Sequence, residues 1–221
     1  MDRAPDYRLV ACGIEVVRDM CERYHGYGGA GNNATYAFCV MEQGLPVAAF
    51  SWQPPPPGAA SSVCPEAPQG VLSLSRMVAV PKEMRSLNHI SKPLRRQMRQ
   101  MIDRTRWPVL VTFSDESLGH TGHVYRCSGW QKTSSTRRPF YLDGSGRRTS
   151  TYSDGRHNHT GLVKAGMTTM QRWEHWACPK GEASLWMESH GWERRQIAGV
   201  WRSGNPRFTY VKRGDDQLVL L

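Results

Sequence analysis

The sequence lacks any apolar run approaching the roughly 20 residues that a membrane-spanning helix needs. Its longest such runs, residues 71–80 and 109–113, are far shorter. It also lacks a C-x-x-C pair, since Cys12, Cys21, Cys39, Cys64, Cys127 and Cys178 are scattered along the chain. That spacing argues against both a disulfide framework and a zinc ribbon. Metal-ligand types do fall close together at His120 and His123, at His157 and His159, and at His175 and Cys178. Two ligands do not close a zinc site, so no structural zinc is expected. Residues 1–13 show no long apolar stretch behind a basic start, and no internal repeat is visible. A soluble, cytoplasmic protein with no membrane partner is the expectation.

Acids are scarce too: 19 Asp and Glu stand against 29 Lys and Arg, a formal net charge of +10. Such an excess favours a polyanionic partner, either nucleic acid or a phosphate-rich cofactor, without specifying which. The excess is concentrated: residues 82–106 carry eight Lys and Arg against two acids, and residues 131–221 carry fifteen against eight. Trp173, Trp176, Trp186, Trp192 and Trp201 lie in that second region. Arginine with aromatic side chains suits phosphate contact plus base stacking, although some of these tryptophans belong in a core. What remains is ordinary for a globular chain: at 221 residues and 39% hydrophobic content it can bury a core.

Periodicity supplies the elements. Val10, Ile14, Val17 and Cys21 have helical spacing over residues 7–24, and the glycine-dense residues 26–31 stop that helix. Residues 35–41 and 45–52 read as a hairpin turning at Gln43-Gly44, and the proline-rich residues 54–62 as a surface loop. Residues 71–80 alternate like a strand and are stopped by Pro81. Ser91-Lys92-Pro93 opens a basic helix to about Thr105, with Ser91 as N-cap and Leu94, Met98, Met101 and Ile102 on one face. Residues 108–113 form a buried central strand and residues 122–128 a short helix ended by Gly129. Strands over 130–133 and 140–142 pair across a basic turn at 134–138, and residues 143–159 read as a connection. Beyond it, helical patches over 170–192 and short strands at 208–211 and 217–221 are expected. This order argues for α/β layers around one sheet, with a core over 1–143 and a basic, tryptophan-rich extension over 144–221 packed on it and contacting DNA.

Two stretches carry a resemblance. One is the strand at 72–80 followed by a loop and the basic helix; the other is His123-Val124-Tyr125-Arg126-Cys127-Ser128-Gly129-Trp130. In that order they resemble the GNAT acetyltransferase superfamily, which implies a GNAT-like α/β fold with a central mixed sheet flanked by helices. It also implies a helix N-terminus that holds the pyrophosphate of acetyl-CoA or a related donor. One departure counts against conventional acetyl-CoA binding: residues 81–91 contain no glycine, whereas the superfamily's loop is glycine-rich so that backbone can approach the pyrophosphate. Lys82, Arg85 and Lys92 could still hold a phosphate.

A narrower match runs through Tyr24-His25, Leu74-Ser75-Arg76, Asn88-x-x-Ser91, Ser114-Asp115 and Gly119-His120-Thr121-Gly122-x-x-Tyr125-x-x-Ser128-Gly129-Trp130. Together these resemble the Mom-type phage DNA-modification proteins. The resemblance implies conversion of adenine in double-stranded DNA to a carbamoylmethyl derivative on its exocyclic amine, as protection from host restriction, in the cytoplasm of a host cell. It gives Asp115 a bond to the target amine or a metal, against a simple turn-capping role. Tyr125 is implied to be a general acid toward a leaving thiolate, against a packed anchor. An iron site at His25, Asp115 and Tyr125, with Tyr36 nearby, is implied as well. Arg76 either pairs with a phosphate or with Asp115, or faces solvent. Asn88 and Ser91, with Lys82 and Arg85, are the donor-binding candidates. Asp115 and Tyr125 are expected to reach one pocket. Chemistry at the adenine amine requires base extrusion, for which residues 26–31 and the arginine-rich stretch 137–156 are the expected clamp. An acyltransferase acting on a small or protein amine, and a non-catalytic DNA-binding protein on a degenerate GNAT-like fold, remain the alternatives.

Overall fold

The computed structural model describes residues 7–25, 34–104, 106–146, 148–149, 162–200 and 206–213. The chain divides into two compact units, one of Met1–Gln53, Ser73–Met98 and Val111–His175, the other of Pro54–Leu72, Arg99–Leu110 and Trp176–Leu221.

The first unit is built on a sheet. Its strands are β1 (Arg8–Ala11), β2 (Tyr36–Glu42), β3 (Leu45–Gln53), β4 (Val71–Ala79), β5 (Val109–Asp115), β6 (Gln131–Leu142), β7 (Arg148–Thr149) and β8 (Val163–Trp176). Among the described residues they lie in the order β1-β2-β3-β4-β5-β8-β6-β7. The hairpin between β2 and β3 forms as expected. Both turn residues take positive φ, 48° at Gln43 and 84° at Gly44, the twist that a two-residue loop between antiparallel strands requires. β4 and β5 are neighbours joined through the helix α3 (Ser91–Arg104).

One face of the sheet receives α1 (Ile14–Tyr24), which buries Val17, Met20 and Cys21. An aromatic cluster fills the core beside α4 (His123–Cys127): Trp130 stacks on Trp52 with ring centroids 6.4 Å apart and donates its indole N–H to Met98 Sδ at 3.0 Å. Trp173, offered by composition as a base-stacking surface, belongs to this core and is 3% exposed.

Several expectations change, among them the helical reading of residues 170–176, which belong to β8. β1 precedes α1, so the early helix begins at Ile14 rather than near residue 7. Residues 57–63 form the helix α2 (Pro57–Val63), with proline in its first turn. The basic residues 134–138 are not a turn, because β6 runs unbroken through them and pairs with β8 instead of folding back on itself. The core does not end at residue 143, since β8 is an interior strand between β5 and β6.

The second unit holds α2, α5 (Ala183–Ser189) and an antiparallel hairpin of β9 (Trp192–Val200) and β10 (Pro206–Lys212). Tyr210 on β10 donates to Ser184 Oγ, which donates to the Glu66 carbonyl, at 2.9 and 3.0 Å. The Trp192 ring has the Arg106 guanidinium 5.7 Å and the Lys212 ammonium 5.3 Å from its centroid. Residues 26–31, 201, 217–221 and most of 143–159 lie outside the described residues.

Candidate active site

Strand β5 is buried along nearly its whole length, and its side chains alternate between the two faces of the sheet. It ends at Asp115, which is 1% exposed. Asp115 caps the short turn that follows: its Oδ1 accepts from Ser117 N at 3.0 Å and from Ser117 Oγ at 2.6 Å. Thr168 of β8 donates its hydroxyl to the same oxygen. Arg148 of β7 forms an ion pair with Oδ2 at 3.2 Å and also donates to Ser117 Oγ. The Arg148 guanidinium in turn lies 3.8 Å over the Phe140 ring, and Phe140 rests on Gly166, where a Cβ would stand 2.9 Å from it. A buried carboxylate is tolerable only when matched in this way by charge and donors. Asp115 thus caps the turn and anchors a polar floor.

His120 stands at the rim. Its backbone N–H donates to the Asp115 carbonyl at 3.2 Å, and its ring meets that of His25 edge to face, with centroids 5.7 Å apart. His25 sits at the end of α1, where its N–H still bonds the Cys21 carbonyl at 2.9 Å. Burial lowers the His25 pKa to about 4, and the positive charges of Arg76 and His120 add to the shift. Burial also lowers the His120 pKa; the Asp115 carboxylate opposes this and Arg148 reinforces it. Both rings are thus neutral near pH 7, and each offers one ring nitrogen as an acceptor. Arg76 comes from β4, the strand beside β5, and donates to its neighbour's carbonyl, Ser75 O, at 2.8 Å.

Tyr125 does not join this group. It is buried among Trp130 and Trp173, with both ring separations 5.9 Å, and it hydrogen-bonds Thr112. Trp173 donates to Ser114 Oγ at 2.9 Å. Thr112 and Ser114 project from one face of β5 and Asp115 from the other, so the expected common pocket for Asp115 and Tyr125 does not form. Burial raises the Tyr125 pKa, with the Thr112 hydrogen bond opposing it. Tyr36 sits on β2 opposite Trp52. That is three strands from β5, or about 14 Å across the sheet. The iron set of His25, Asp115 and Tyr125 is therefore not assembled, and the Asp115 oxygens are already held by Ser117, Thr168 and Arg148. Among the described residues no three His, Cys, Asp or Glu side chains gather as a metal site. These residues do not fit an iron centre.

The donor-binding candidates lie on the segment leading into α3. Lys82 and Asn88 are exposed and Ser91 is half-buried. Ser91 is the first helical residue, so the cap position falls to Ile90, whose carbonyl accepts from Leu94 N at 3.1 Å. Arg85 turns back on its own loop, donating to the carbonyls of Val80 and Leu87. Beside this loop is a groove of about 480 Å³, lined by Tyr24, Arg23, Glu42, Met84 and Arg85 among others. A segment without glycine, with its arginine bound to its own backbone, does not fit a pyrophosphate cradle of the acetyl-CoA type.

Sequence reasoning missed Ser117 and Thr168, took Arg148 only as part of the arginine-rich stretch 137–156, and gave His120 no role beyond a possible metal ligand and a place in the resembling string. Ser117 could have been found, since Asp-x-Ser is a turn pattern. Arg148 and Thr168 reach Asp115 through β7 and β8, which carried no legible strand signal.

The fold has known counterparts. The structure resembles spermidine N-acetyltransferase from Vibrio cholerae, solved in complex with CoA and spermine, with a TM-score of 0.50 at 8% identity, covering 79% of this chain and 97% of that one. An N-acetyltransferase from Staphylococcus aureus Mu50 aligns with a TM-score of 0.49 at 10% identity, covering 78% of this chain and 99% of that one. At such identities the likeness concerns the fold, which is of the GNAT acetyltransferase type. No curated protein matches the chain. The sequence itself matches one family across residues 6–184, a span that takes in β1 to β8 and the whole Asp115 cluster, and the chain belongs to the Mom protein family.

Proposed function

We propose that this protein is a transferase that modifies adenine in double-stranded DNA at its exocyclic amine, producing a carbamoylmethyl-type derivative that shields the DNA from restriction. The observation that carries this reading is the cluster at the end of β5: in a Mom-family chain, a buried Asp115–Arg148 pair underlies two imidazoles that are neutral at pH 7. The net charge of +10 supports a polyanionic substrate.

The chemistry asks little of the site. The target base leaves the stack, at a cost of a few kcal/mol. Its amine nitrogen forms a bond to the electrophilic carbon of an activated carbamoylmethyl donor, whose leaving group departs with the electron pair. The amine proton passes to His120, whose neutral ring stands at the rim and offers a nitrogen to accept it. The Asp115 carboxylate stabilises the imidazolium that forms, and the His25 edge fixes the ring plane. Positioned proton transfer of this kind is worth about 10²–10⁴ in rate. No step is assigned to acetyl-CoA or to iron.

Nucleoside mass spectrometry on a plasmid co-expressed with the protein tests the proposal. A deoxyadenosine of increased mass, together with resistance of the plasmid to adenine-sensitive restriction enzymes, is the expected result. Unmodified DNA alongside acetyl transfer to free amines would assign the fold to an ordinary acyltransferase. Unmodified DNA alongside salt-sensitive binding would leave only a DNA-binding protein.

A further inference from the structure

Strands β6 and β8 pair antiparallel, with Thr136 opposite Met170, Arg137 opposite Thr169, Arg138 opposite Thr168 and Phe140 opposite Gly166. Directly opposite residues share a face, and successive residues alternate. Arg137 and Arg138 are both exposed, yet they belong to different faces of the sheet. Arg138 shares its face with Thr168, whose hydroxyl holds Asp115, and its Cβ is about 5 Å from that of Thr168. Arg137 shares its face with Gln171, whose side chain accepts from Ser114 Oγ at 3.4 Å, on the side of Trp173 and Tyr125.

The surroundings of Arg138 say what it can bind. Its strand neighbours on that face are Thr136, Thr168, Met170, Phe140 and Gly166, none of them an acid, and the Asp115 carboxylate that Thr168 binds is already paired with Arg148. Of the other cations on that face, Arg148 is buried against Asp115 and the Phe140 ring, and Arg172, opposite Ser134, pairs with Glu174 at 3.0 Å. Among the described residues no hydrogen bond or ion pair engages the Arg138 guanidinium. An exposed fork of N–H donors beside a neutral, hydroxyl-bearing rim matches a phosphodiester, which Arg grips through two donors. A free carboxylate offers the same fork geometry, but the charge balance of the chain favours nucleic acid over an acidic peptide.

We infer that Arg138 binds a backbone phosphate of the strand whose base enters the Asp115 cluster, and that its neighbour Arg137 takes no part in this contact. The inference rests on the DNA reading above. It is tested with the full-length protein, a labelled duplex and plasmid modification, comparing Arg138→Ala, Arg138→Lys and Arg137→Ala. Arg138→Ala is expected to weaken duplex binding about tenfold, reduce the slope of log K against log salt by about one, and raise KM for plasmid while kcat stays within about twofold. Arg138→Lys recovers the salt slope but only part of the affinity, and Arg137→Ala changes each quantity less than about twofold. Equal losses in Arg137→Ala and Arg138→Ala would reduce Arg138 to diffuse charge and overturn the inference. Full modification kinetics in Arg138→Ala would overturn it while leaving the DNA reading intact. Arg138-dependent duplex binding without any modified base would do the opposite.

Discussion

The residues that look most like a reaction motif are mostly a structural corner. In the stretch from Gly119 to Trp130, Gly119, Gly122 and Gly129 take φ of 71°, 70° and 89°, a region that side chains rarely tolerate. Ser128 donates to the Val124 carbonyl at 2.7 Å, and Tyr125 and Trp130 are core. Gly122 is the tightest point, since a Cβ there would stand 1.9 Å from the Trp173 ring. Gly122→Ala is expected to lose about 2–4 kcal/mol through strain and overpacking, visible as a lowered urea midpoint. His25 and His120, both with lowered pKa values, contribute to the pH dependence in the same direction. The His25 pKa is about 4 when folded against about 6.5 unfolded, so the unfolded chain binds the extra proton first. His25 therefore contributes stability fully above about pH 6.5, and that contribution is lost as pH falls toward 4. Urea midpoints across pH 4–7 should show this slope in the native chain and a shallower one in His25→Gln. The sequence named Asp115 and His25 as candidates but not their partners, because a hydrogen bond between residues 53 positions apart leaves no local trace.

At the scale of elements, most of what is determined locally was legible, the helix α2 being an exception. The β2–β3 hairpin, β4 stopped by proline, α3 and β5 all follow from period and turn residues within a short window. The strands beyond β5 were not. β6 reads Q-K-T-S-S-T-R-R-P-F-Y-L, polar on both faces along much of its length because much of it is exposed. A strand that buries neither face shows no apolar alternation. β8 likewise mixes Met, Thr and Arg with Trp173 and Glu174; the buried Glu174 is matched by Arg172 at 3.0 Å and by the Thr133 hydroxyl at 2.8 Å, a compensation that composition hides. The placement of β8 next to β5 makes it a support for the site. Thr168→Val keeps the shape and removes one donor from Asp115. It should cost about 1–3 kcal/mol and slow modification without changing the affinity for duplex. A variant that binds DNA more weakly and reacts normally would place Thr168 elsewhere in the function.

For the whole molecule, charge indicates the partner and the fold locates the chemistry, but neither alone gives the reaction. The excess of 29 basic over 19 acidic side chains should make duplex binding fall steeply with salt. A fluorescence titration between 50 mM and 200 mM salt is expected to show a linear decline of log K, and a flat profile would remove DNA as the polyanion. The GNAT-type fold, shared with an enzyme of 8% identity, leaves the acceptor open, so the assignment turns on the side chains at the end of β5. The most direct measurement is the modified-adenine content of DNA, by mass spectrometry of digested nucleosides, from cells expressing the native protein or His120→Ala at equal soluble levels. The native protein should yield a deoxyadenosine of increased mass and His120→Ala at least about a hundredfold less. Undiminished modification in His120→Ala, or none with the native protein, would contradict the account.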